Sequence, residues 1–121
     1  MCIRDSTWLA FGAEALCASV ALARRLGLEP ETVSDALGGG PLASPWQAAK
    51  MQRIVEGDYS AEFALALALK DVLLALDATG EDRFAALRGL ADEWQQAAGQ
   101  GLGDQDLTII TRALELQGRA P

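Results

Sequence analysis

The sequence predicts an all-α fold, a single domain of about six helices. Three observations carry this. Apolar residues recur at three- and four-residue spacing in almost every segment between glycines. Valine, isoleucine and threonine are sparse and nowhere alternate with polar residues over the length of a strand. Glycine, proline and short hydroxyl or carboxylate residues stand where helices start and stop. A chain of 121 residues suits one domain. It is also long enough to bury roughly two thirds of its unfolded surface.

The first helix is expected over residues 7–26, with Leu9, Ala13, Leu16, Val20 and Ala23 at helical spacing. Ser6 or Thr7 is the expected cap, and Gly27 the stop, because glycine takes the left-handed conformation cheaply. Glu29-Pro30-Glu31 opens a second helix: proline fits a first turn that needs no N–H, and the acids suit the positive end. Its short apolar face is Val33, Ala36 and Leu37, and Gly38-Gly39-Gly40-Pro41 ends it. That glycine run is read as a turn. A phosphate loop would need a preceding strand and a lysine at the right spacing, and neither is present. A third helix is expected over 45–55, with Trp46, Ala49, Met51 and Ile54 packing inward.

Asp58 or Ser60 is expected to cap a long apolar helix over 61–79, which Gly80-Glu81-Asp82 breaks. Phe84, Leu87, Leu90, Ala91 and Trp94 then repeat at helical spacing through residue 98. A glycine-rich connector over 99–103 follows. Asp104 or Asp106 caps a last helix carrying Leu107, Ile110, Ala113 and Leu114, and residues 118–121 form a tail. No internal repeat is present.

Half the residues are hydrophobic, which separates the chain from disordered sequences. A formal charge of −7 argues against nucleic acid and against anionic lipid as partners, since both call for a basic face. No histidine is present, so Ser-His and Cys-His catalytic pairs are ruled out. Cys2 and Cys17 are too few for a disulfide framework or a zinc site, so no metal is expected. Cys17 reads as a small core residue. Glu14 and the Arg24-Arg25 pair interrupt the first apolar run, so no membrane span is expected. With no secretory signal visible, the expected location is cytoplasmic.

One residue stands out against the long apolar helix. Lys70 places a cation in Lys70-Asp71-Val72-Leu73-Leu74-Ala75-Leu76-Asp77, a stretch apolar on almost every side. A helix apolar all round is normally buried, and burying a lone ammonium costs several kcal/mol. Lys70 must therefore reach a cleft, a carboxylate or a bound anion, or else snorkel along its stem to solvent. Leu73, Leu74 and Asp77 share its side of the helix at offsets of three, four and seven.

This stretch resembles the Lys-Asp-Leu-Gly-x-Ala-x-Asp signature of the C-terminal helical domain of the β-hydroxyacid dehydrogenases. That family includes 3-hydroxyisobutyrate dehydrogenases and tartronate semialdehyde reductases and is related to phosphogluconate dehydrogenase. Lys70, Asp71, Ala75 and Asp77 match, whereas Val72 and Leu73 stand where the signature has Leu-Gly. The turn Ala23-Arg24-Arg25-Leu26-Gly27-Leu28-Glu29-Pro30 is similar to the family's turn between helices. So are Gly57-Asp58-Tyr59-Ser60-Ala61-Glu62-Phe63, leading into the signature helix, and Gly101-Leu102-Gly103-Asp104-Gln105-Asp106, leading into the last one. The likeness runs from Ser6 to about Leu116; Met1-Cys2-Ile3-Arg4-Asp5 lies outside it.

The resemblance implies the helical domain, residues 6–117, of an oxidoreductase that moves a hydride between NAD or NADP and a small hydroxy acid or semialdehyde. It implies a homodimer. It makes Lys70 the cofactor-binding residue and Phe63 a neighbouring apolar wall. The family's catalytic motif, Gly-x-Gly-x-x-x-Lys-x-x-x-Asn, would place its lysine at Cys2 and its asparagine at Ser6, so no catalytic residue is assigned. No Gly-x-Gly-x-x-Gly dinucleotide cradle is present. The expectation is a truncated member with an atypical start over residues 1–5, inactive alone. The alternative is a stand-alone helical dimerisation or interaction module.

Overall fold

The computed structural model describes residues 3–80 and 84–117. Expectations for Cys2, for the Glu81-Asp82 break and for the 118–121 tail lie outside them. Six α-helices follow in order: α1 (Ile3–Arg25), α2 (Pro30–Leu37), α3 (Pro45–Glu56), α4 (Leu65–Thr79), α5 (Ala85–Ala97) and α6 (Ile110–Gln117). A π-helical turn, Ala98–Leu102, continues α5, and a 3₁₀ turn, Leu107–Ile109, precedes α6. No strand is found among the described residues; one antiparallel bridge pairs Ala64 with Asp106.

α1 is the axis of the bundle and packs most extensively on α6 and α4. Ala10, Ala13 and Cys17 form its buried stripe, and such small side chains allow close helix approach. Leu65, Val72 and Leu76 of α4, Leu90 and Trp94 of α5, and Leu107 and Ile110 complete the main core. A second, smaller core joins Leu16 and Val20 to Met51 and Ile54 of α3.

Most predicted signals act as expected. Gly27, at φ 86°, ends α1 in the left-handed conformation, and the Leu28 N–H returns to the Ala23 carbonyl at 2.9 Å. Pro30 opens α2. Ser44 and Gln47 form a reciprocal capping box on α3. Cys17, Leu87, Leu90, Ala91 and Trp94 are buried as their spacing indicates, whereas Phe84, first in that repeat, stands just ahead of α5 and is exposed.

Three expectations are corrected. α1 already runs from Ile3, so Ser6 sits inside the helix rather than capping it. Ala49 points to solvent, because the inner face of α3 is set by Lys50, Met51 and Ile54. α4 begins at Leu65 and not near Ala61, and neither Asp58 nor Ser60 caps it. Asp58 instead accepts the Ser60 N–H at 3.1 Å in a local turn.

By length and mean hydropathy, Asp5–Arg25 is also long and apolar enough to cross a membrane, against the sequence expectation. Here its buried stripe belongs to the common core.

Leu76→Ala should test this packing. The side chain is almost completely buried. Its truncation should cost about 2–5 kcal/mol, read as a lower urea midpoint at unchanged denaturant dependence.

Candidate functional site

The start of α4 is fixed by the segment that leads into α6. The Leu65 and Ala66 N–H groups, which have no partner inside a first helical turn, donate to the carbonyls of Gln105 (2.8 Å) and Gly103 (3.0 Å). The Leu107 N–H donates back to the Phe63 carbonyl at 2.9 Å. Gly103 allows this approach, since a Cβ there would lie 3.3 Å from that of Ala66.

Asp106 stands at the centre of this junction with no exposed surface. Its Oδ1 accepts the N–H groups of Glu62 (3.0 Å) and Phe63 (3.1 Å). Its Oδ2 accepts the Thr108 hydroxyl (2.7 Å) and N–H (3.3 Å). Lys50 Nζ spans both oxygens at 3.0 and 3.1 Å and reaches Glu62 Oε1 at 2.9 Å. Arg53 adds a second cation, 2.6 Å from Glu62. Burial works to raise the Asp106 pKa. The Thr108 hydroxyl, the Phe63 N–H, Lys50 and the Glu62 N–H outweigh it and hold the carboxyl at about 2.

The cation buried in this fold is therefore Lys50, which the sequence reading missed. A signal was available: Lys50 stands four residues from both Trp46 and Ile54, on the apolar face of α3. Every contact of Lys50 is internal, which makes it a structural residue.

Lys70 lies on the opposite kind of surface. The expectation that α4 is buried all round fails, because α1 and α5 cover only part of it. Leu65, Ala68, Leu69, Val72, Ala75 and Leu76 face inward. Leu67, Lys70, Leu74 and Asp77 face outward and are exposed. Lys70 has no hydrogen bond or ion pair among the described residues, and the bridge to Asp77 is not made. Leu73, the bulky departure from the signature glycine, is half-buried against the core rather than on the open face. Phe63 is likewise half-buried against the core. Asp71 accepts a long hydrogen bond from the Ser6 hydroxyl at 3.5 Å.

A separate apolar groove of about 1750 Å³ runs between the N-terminal half of α1, the α2–α3 loop and the start of α5. Trp8, Phe11, Leu42 and Phe84 line it, with Trp8 84% and Leu42 83% exposed. Lys70 is not on its wall. No group of three or more His, Cys, Asp or Glu side chains converges on a metal position among the described residues.

Comparison with known proteins connects this geometry to a family. Residues 6–114 match the model of the NAD-binding domain of NADP-dependent 3-hydroxyisobutyrate dehydrogenase. The chain belongs to this family. Family membership makes a nicotinamide dinucleotide the family's cofactor and agrees with the resemblance carried by the Lys70 segment. The 2-(hydroxymethyl)glutarate dehydrogenase of Eubacterium barkeri is 30% identical over 103 residues, covering 83% of this chain and 34% of that protein. The crystal structure of a 3-hydroxyisobutyrate dehydrogenase from Salmonella typhimurium superposes with a TM-score of 0.82 at 23% identity. It covers 91% of this chain and 39% of that one, and it establishes the shared helical fold. The chain thus spans about a third of the length of the curated relative it matches.

The residues present fit one flank of a nicotinamide dinucleotide. An exposed ammonium without an internal partner suits phosphate or ribose oxygens, and Leu67 and Leu74 beside it offer apolar surface. A glycine-rich cradle between strand and helix is not found among the described residues.

Asp106→Asn should unbalance the buried charges and cost about 3–5 kcal/mol in urea unfolding. The wild-type carboxyl has a folded pKa below its unfolded value of about 3.9. Its contribution is present above about pH 4 and is lost as pH falls toward 2. The variant should lack that acid-side slope.

Proposed function

We propose that this chain is the NAD(P)-contacting, dimerising helical domain of an oxidoreductase acting on a small hydroxy acid or semialdehyde. The observation that carries this is Lys70, exposed and without an internal partner on the outer face of the signature helix of an NAD-binding family member. When bound, the cofactor supplies or accepts the hydride. The chain's own part is to hold it, with Lys70 placing positive charge at its anionic edge and Leu67 and Leu74 shielding the neighbouring surface from water.

The chain alone is inactive in this reading. It has two lysines and no histidine. Lys50 is locked to Asp106 and Glu62, and Lys70 is committed to the cofactor, so neither is left to exchange a proton with a substrate hydroxyl. Residues 6–117 form the working domain in this reading. The partners are the cofactor, the hydroxy acid and a second copy of the chain, with no nucleic acid and no membrane. The location in this reading is cytoplasmic. Cys17 is a free, buried thiol. Burial pushes that thiol up to about 12, so it is inert as a nucleophile.

Titration of NADPH and NADH into ¹⁵N-labelled chain, followed by NMR, tests the cofactor reading. Shifts should cluster on Leu67, Lys70 and Leu74, and Lys70→Ala should abolish them while changing stability by less than about 0.5 kcal/mol. Shifts absent at millimolar cofactor, or indifferent to Lys70→Ala, would favour the stand-alone interaction module.

The groove bears on the dimer. Exposed aromatic residues around an apolar cleft mark a contact surface rather than ordinary solvent-facing protein. Sedimentation equilibrium should show a dimer, and Trp8→Asp should shift it to monomer without loss of helical circular dichroism.

A further inference from the structure

α1 and α5 meet through two glutamates. Glu14 on α1 accepts the indole N–H of Trp94 on its Oε1 at 3.0 Å. Trp94 is completely buried in the core. Its neighbour on α5, Glu93, brings a second carboxyl to hydrogen-bonding contact with Glu14. Glu93 Oε2 is a buried oxygen that no N–H or hydroxyl reaches among the described residues.

Two ionised carboxylates in contact repel, and burial strengthens that repulsion. A cationic side chain would relieve it, yet among the described residues only burial and Glu14 bear on Glu93. From α1, the titratable groups at the seam are Glu14 and, on its far side, the Cys17 thiol. From α4, Asp71 is turned to Ser6, while Lys70 and Asp77 face solvent. From α6, Arg112 lies over the Tyr59 ring and Glu115 pairs with Arg24. On α5 itself, Asp92 faces outward and pairs with Arg88. A proton on one carboxyl would turn that repulsion into a hydrogen bond and give the buried Glu93 oxygen its partner.

We propose that Glu14 and Glu93 hold one proton between them, and that this shared proton latches α5 to α1. Glu93 donates to Glu14, Glu14 also receives the Trp94 indole, and the seam closes around a single negative charge. Loss of the proton leaves two charges in contact beside a buried tryptophan and loosens the seam. Burial, the hydrogen bond to Glu14 and the Glu14 charge push the Glu93 carboxyl up to about 8. The folded value lies above the unfolded one. The stabilisation is therefore complete below the unfolded pKa of about 4.3 and is lost as pH rises toward 8. The same two helices wall the apolar groove, so the latch sets how firmly those walls are held.

NMR titration of the full chain, with ¹³C-labelled glutamate and ¹⁵N-labelled tryptophan, reads this directly. The Glu93 carboxyl and the Trp94 indole N–H should move together in one transition near pH 8. Glu14→Gln keeps an acceptor for the indole and removes the charge; it should lower the Glu93 midpoint by about one pH unit or more. Glu93→Gln should abolish the Trp94 transition. A wild-type Glu93 carboxyl that titrates near the ordinary glutamate value of about 4.3 overturns the proposal. So does a midpoint unmoved by Glu14→Gln. The wild-type titration decides alone if either variant fails to fold.

Discussion

A buried carboxylate needs its lone pairs filled and its charge balanced, and Asp106 is where this fold meets that requirement. Removing such a group from water costs several kcal/mol unless hydrogen bonds and an opposite charge replace the solvent. Asp106 gains two backbone N–H groups from the α4 lead-in, a hydroxyl and an N–H from Thr108, and the ammonium of Lys50. These donors come from three separate parts of the chain. Satisfying one carboxylate therefore holds α3, the start of α4 and the start of α6 in a single arrangement.

The position of α4 follows from that junction. With Glu62 and Phe63 held in a bend and Ala64 bridged to Asp106, the helix begins at Leu65, where carbonyls of the facing loop cap its first N–H groups. That start sets the rotation of every later residue. Val72, Ala75 and Leu76 turn to the core, and Lys70 turns to solvent between Leu67 and Leu74. The signature helix is thus two-sided. One face is spent on packing, and the other presents an ammonium on an apolar surface, the chemistry suited to an anionic, partly aromatic cofactor.

Charge is distributed by the same logic. Cations and acids pair where the fold buries them, as Lys50 and Asp106 do. Where two acids meet without a cation, as at Glu14 and Glu93, a proton takes its place. The net charge of −7 is otherwise carried on the surface. The groove beside Trp8 and Leu42 interrupts that acidic surface with apolar side chains.

Local chemistry within a turn or two was legible in the sequence. The all-α class, the stop at Gly27, the opening at Pro30 and the buried face of α5 follow from periodicity and backbone preference, and Asp106, one of two acids expected to cap the last helix, caps the 3₁₀ turn that leads into it. The family likeness was legible as well, through the segment around Lys70. What tertiary structure alone decided are the pairings across long separations. Lys50 finds Asp106 56 positions away, and Glu14 finds Trp94 80 positions away. Periodicity places Lys50 and Glu14 on inward helix faces without naming their partners. It also makes Lys70 look buried, because apolar residues surround it on a helical wheel whether or not a neighbouring helix covers them. Burial and charge pairing depend on which helix lies opposite, and only the packed bundle fixes that.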